Sequence, residues 1–123
     1  MQARLEDEVD PWRLTDAPLV VHRKMRKVCF HETLMDLPDS GYVMVEGLAL
    51  RQGEFSPMRE VCNWLSPARE DLQAARTTRM KLVKWMTGSL RALGQRVPLA
   101  EIDGVILSDA KRGYRLGVVA KVF

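Results

Sequence analysis

The sequence predicts an α+β domain: a small antiparallel sheet, then three helices, then a closing β-hairpin. Three observations predict it. Short β-rich runs crowd between residues 19 and 37, three segments with apolar residues at helical spacing follow, and two β-rich runs flank a tight turn near the C-terminus. The chain has 123 residues, enough for one domain with a core but not for two. Its 46% apolar and 28% charged residues are those of an ordinary globular chain.

Residues 1–17 read as an acidic N-terminal arm, and residues 18–123 as the domain. Two X-Pro pairs, Asp10-Pro11 and Ala17-Pro18, interrupt the arm, and only Trp12 and Leu14 could anchor it. Leu19–His22, Arg26–Phe30 and Leu34–Leu37 read as strands, with His31-Glu32-Thr33 as a turn and Lys24, Arg26 and Lys27 on the solvated side.

Asp39 or Ser40 is then the expected N-cap of a first helix. Tyr42, Val45, Leu48 and Ala49 form its apolar face and Gln52-Gly53 its stop. Ser56-Pro57 predicts a second start, with Ser56 as N-cap, Pro57 at the first helical position and Glu60 placed for a capping box. Met58, Val61, Cys62 and Leu65 supply the apolar face, and Ser66-Pro67 ends it. Thr77-Thr78 is the expected cap of a third helix that stops at Gly94. Its predicted stripe is Met80, Val83, Met86 or Thr87, Leu90 and Leu93. Gly88 inside it costs about 1 kcal/mol relative to Ala, which a close approach of another backbone would explain. A linker over residues 95–102 leads to the hairpin. There Val105–Asp109 and Tyr114–Val119 flank a turn with Lys111, Arg112 and Gly113 at its tip.

Several function classes find no support. Cys29 and Cys62 have no partner at metal-ligand spacing and read as reduced, buried thiols. His22 and His31 are isolated. No spacing marks a nucleophile and no Gly-rich loop would cradle phosphate, so no catalytic residues, metal or cofactor are expected. No apolar run approaches the roughly 20 residues of a membrane span, and the N-terminus lacks a signal-peptide core. A cytoplasmic, nucleoid-associated protein is expected.

Charge is distributed unevenly. Residues 1–54 hold seven Lys/Arg and ten Asp/Glu, whereas residues 55–123 hold twelve and six. A basic second part fits one face that meets nucleic acid. Sheet, two helices, basic helix and basic-tipped hairpin, in that order, form a winged helix-turn-helix. A helix fits the major groove of double-stranded DNA, and a wing reaches the adjacent groove. Lys81, Lys84, Arg91, Lys111 and Arg112 are the expected phosphate contacts. Arg76, Thr78 and Arg79, with Thr77 beside them, are the expected base readers. Arg115 would cover the hairpin with its stem while its head meets phosphate. Trp85 and Tyr114 read as packing residues.

The chain resembles the C-terminal effector domains of OmpR/PhoB-type response regulators. Leu37–Tyr42 through Leu48–Glu54 resembles the family's first helix, and Phe55–Leu65, ending near Trp64, its second. Leu90-Arg91 resembles a pair late in the recognition helix, and Ile106-x-Ser108 with Gly113-Tyr114-Arg115-Leu116 the closing wing. The resemblance spans about residues 19–119. It implies an N-terminal antiparallel sheet, three helices and a C-terminal wing, with the third helix in the major groove. It also implies contact with RNA polymerase through the stretch from Ala68 to Ala75, and binding as a homodimer on paired half-sites. Gly41, Val43, Trp85, Gly88 and Asp109 depart from the pattern, Asp109 by placing an anion on the wing. No receiver domain precedes the module in this sequence, so no phosphorylation switch is expected within it. The sequence thus predicts a sequence-specific, non-enzymatic transcription regulator. The rival is a winged-helix module that docks on RNA polymerase or another regulator without binding DNA.

Overall fold

The computed structural model describes residues 17–66, 71 and 73–123. The predicted arm therefore lies almost wholly outside the described residues, as does half of the stretch from Ala68 to Ala75. Strands β1 (Leu19–His22), β2 (Lys27–Phe30) and β3 (Thr33–Met35) form the expected antiparallel meander. Helices α1 (Asp39–Leu50), α2 (Met58–Leu65) and α3 (Ala74–Ala92) follow. A short helix α4 (Leu99–Asp103) leads into the hairpin of β4 (Ile106–Asp109) and β5 (Gly113–Leu116). Strand β6 (Ala120–Val122) then returns to the first sheet and pairs with β1 in parallel, giving the order β3-β2-β1-β6.

Side chains alternate across this sheet. Leu19, Val21, Val28, Phe30 and Met35 enter the main core, where Leu48, Met86, Leu90 and Met44 are also almost wholly buried. Helix α1 is the centre of the packing, against α2, α3 and strands β1, β2, β5 and β6. Its Tyr42, Val45, Leu48 and Ala49 are buried, as the spacing predicts.

Two of the family departures on α1 and α3 explain each other. A Cβ placed on Gly41 would lie 3.0 Å from the Trp85 ring, and one on Gly47 would lie 2.6 Å from the Trp64 ring. Each indole is seated on a glycine of α1, so Gly41 and Trp85 form a matched pair. Trp85 is a packing residue, as the sequence suggests.

The predicted caps need correction. Pro38 and Pro57, not Asp39, Ser40 or Ser56, occupy the N-cap positions of α1 and α2, and no side chain caps either helix. Asp39 is already helical and pairs with Arg26 at 2.9 Å. Ser56 is held extended because its N–H donates to Tyr114 O at 2.7 Å and its carbonyl accepts from Tyr114 N–H at 3.0 Å. Glu60 pairs with Arg51 instead of closing a capping box. Helix α3 begins at Ala74, so Thr77 lies within its first turn and Thr78 cannot cap it. Its buried face is Ala75, Thr78, Leu82, Met86 and Leu90. The predicted stripe is rotated from this, and Met80 and Leu93 are 63% and 64% exposed.

Candidate nucleic-acid interface

Burying that face of α3 dictates what its other face presents. At about 3.6 residues per turn, Arg76, Thr77, Met80, Lys81, Lys84, Gly88 and Arg91 share one arc. All seven are exposed. Four cations therefore line a single helix face about 22 Å long from Arg76 to Arg91. Met80 lies within that arc, and the sequence reading missed it because it counted this residue in the core.

The two other predicted base readers are not on this face. Thr78 is only 6% exposed and packs inside the domain. Arg79 turns towards the wing. Its guanidinium donates to Ile106 O at 3.0 Å and Asp103 O at 3.4 Å, and lies 3.5 Å from the Asp103 carboxylate. Its side chain is 25% exposed, so Arg79 fastens α3 to the root of β4 and does not face outward.

The wing stands beside the start of α3. Burial pushes the Tyr114 hydroxyl above its usual range, while the charges of Arg79 and Arg76 act in the opposite sense. At the tip, Lys111 and Arg112 are exposed. Arg112 stacks its guanidinium over the Phe55 ring at 4.3 Å, and the half-buried Arg115 lies over the same ring at 5.3 Å. Phe55 precedes α2, so the loop between α1 and α2 orients two wing cations. No pattern in the sequence marks that role. A groove of about 500 Å³ runs between the wing and α4, lined by Phe55, Arg79, Asp109, Arg112 and Arg115 among others.

Asp109 has a role that its charge alone would hide. Its Oδ1 accepts from the backbone N–H groups of Lys111 and Arg112, both at 2.9 Å, and its Oδ2 lies 3.3 Å from the Arg112 guanidinium. The anion thus organises the turn that displays Lys111 and Arg112. These bonds, the Arg112 N–H first, hold the Asp109 carboxyl below its ordinary range. A lowered carboxyl stabilises the fold above its unfolded pKa, about 3.9, and loses that contribution as pH falls through the folded value. Protection of the Lys111 and Arg112 amides, taken as exchange relative to the intrinsic rate at each pH, should therefore fall on acidification below about pH 4. In Asp109→Ala exchange should be fast already at pH 6, and equal rates in parent and variant would refute the role.

Cys29 and Cys62 are both buried and form no disulfide. Among the described residues no cluster of His, Cys, Asp and Glu could hold a metal ion, and no helix is long and apolar enough to cross a membrane.

Sheet, helix pair, third helix and wing together define a winged helix-turn-helix domain. More narrowly, the chain has the fold of the DNA-binding domains of OmpR/PhoB-type response regulators. It superposes on the DNA-binding domain of the response regulator AdeR, solved in complex with an intercistronic region. The TM-score is 0.61 over 83% of this chain and 96% of that one, at 16% identity. The DNA-binding domain of CpxR from E. coli gives the same TM-score over 88% and 95%, at 14% identity. No family model matches the chain, and no curated protein matches it in sequence.

Proposed function

We propose that this domain is a transcription regulator that binds double-stranded DNA, with α3 in the major groove and the wing tip in the adjacent minor groove. The observation that carries the reading is the continuous exposed arc of Arg76, Thr77, Lys81, Lys84 and Arg91 beside a wing that displays Lys111 and Arg112. A helix of this width fits the major groove, and its cations neutralise phosphates while releasing counterions. Base reading falls to Arg76 and Thr77, near the N-terminus of α3, with Met80 offering apolar contact to a thymine methyl. Arg115, packed on Phe55, supports the wing.

The test is fluorescence anisotropy with duplex DNA across a salt series. Affinity is expected to fall steeply with salt. Lys84→Ala and Lys111→Ala should each flatten the slope by about one unit. A slope unchanged in both variants, or no binding at low salt, would sink the reading.

A second reading has an observation of its own. Leu93 and Leu99 are 64% and 63% exposed near the end of α3, beside a groove lined by Val97, Arg91 and Arg96. Such a surface suits docking on a protein partner. It would gain ground if salt-dependent DNA binding were absent.

A further inference from the structure

Gly88 sits inside the 19-residue helix α3, where glycine is costly. Its neighbours have reasons within the protein. The Thr87 hydroxyl donates to Val83 O at 2.7 Å. The Ser89 hydroxyl donates to Trp85 O at 3.0 Å and accepts from the Asp36 N–H at 2.8 Å, tying α3 to the end of β3. Gly88 has none. A Cβ built on it meets nothing within 4 Å beyond its own turn of helix, and its φ is not of the kind only glycine favours. No close approach by another part of the described chain accounts for it. It lies on the exposed arc, one turn after Lys84 and just under one turn before Arg91.

We infer that Gly88 is a positioning residue, the point at which the sugar–phosphate backbone of DNA crosses α3. The inference rests on the DNA-binding reading above. Gly88 lies about 16 Å along the helix from Thr77, further than the roughly 12 Å width of the major groove. A helix whose first turns read base edges therefore meets the groove wall near Gly88. Without a Cβ the helix backbone can come into contact with a phosphate, while Lys84 and Arg91 pair with the same strand on either side. A methyl group there would hold the helix off the wall and lengthen both ion pairs.

Gly88→Ala separates folding from binding because the two effects have opposite signs. Alanine fills open space and favours the helix, so Tm should rise by roughly 3–5 °C. Affinity for duplexes of about two helical turns should fall about tenfold, to the same degree on AT-rich, GC-rich and mixed sequences. Gly88→Leu, also a good helix former, should bind more weakly still. A lower Tm for the alanine variant would give Gly88 an internal role and overturn the inference. So would unchanged affinity, or a loss confined to one sequence. If the parent binds duplex DNA and Gly88→Ala binds equally well, the crossing point is wrong while the DNA reading stands. If the parent does not bind, both fall.

Discussion

Gly113→Ala is expected to cost about 4 kcal/mol of stability, a large part of what holds a domain of this size together. Gly113 has φ +102, which side-chain-bearing residues rarely adopt. A Cβ on it would lie 1.9 Å from Ser56 O and 2.8 Å from Ser56 C. Both are backbone atoms, so no rotamer change relieves the collision. The variant must give up either the turn or the paired hydrogen bonds between Ser56 and Tyr114. Those bonds join the wing to the start of α2, and with them the seating of Phe55 under Arg112 and Arg115 would go. Urea unfolding measures the loss, and exchange of the Ser56 and Tyr114 amides locates it. A stability within about 1 kcal/mol of the parent would mean that the bridge contributes little.

Arg79→Ala is expected to cost about 2–3 kcal/mol, through its charged hydrogen bonds to the root of β4 and the buried part of its stem. It should leave the salt slope of DNA binding unchanged, because Arg79 faces the wing and not the exposed arc. A base reader would behave oppositely, with normal stability and a loss restricted to particular sequences. Thermal unfolding together with anisotropy on several duplexes distinguishes the two. Normal stability in Arg79→Ala would restore the sequence-based assignment.

That assignment shows where local reasoning stopped. The three-stranded meander, the apolar faces of α1 and α2 and the hairpin were legible because each follows from a period, a turn residue or a glycine within a few positions. The phase of α3 was not. Met80 and Leu93 look like core residues, and Leu82, Met86 and Leu90 offer an equally apolar alternative. Only packing against α1 and β3 decides between the two, and that decision turns Thr78 and Arg79 inward while leaving Arg76, Thr77, Lys81, Lys84 and Arg91 outside. Ser56 has the chemistry of an N-cap, but pairing with Tyr114, 58 positions later, fixes its backbone first. Helix α4, five residues long, and strand β6, three residues long, are too short to show a period.

Strand β6 also sets a temporal order. Leu19 pairs with Ala120 and Val21 with Val122, so the first and last strands of the domain are neighbours. A chain emerging from the ribosome can form α1 and its contacts with β1 and β2 early, but its four-stranded sheet must wait for Ala120–Val122. Contacts this distant in sequence slow folding, since a long loop must close before they form. Until then one edge of β1 stays unpaired, and that edge is where a nascent chain is most exposed to pairing with another strand.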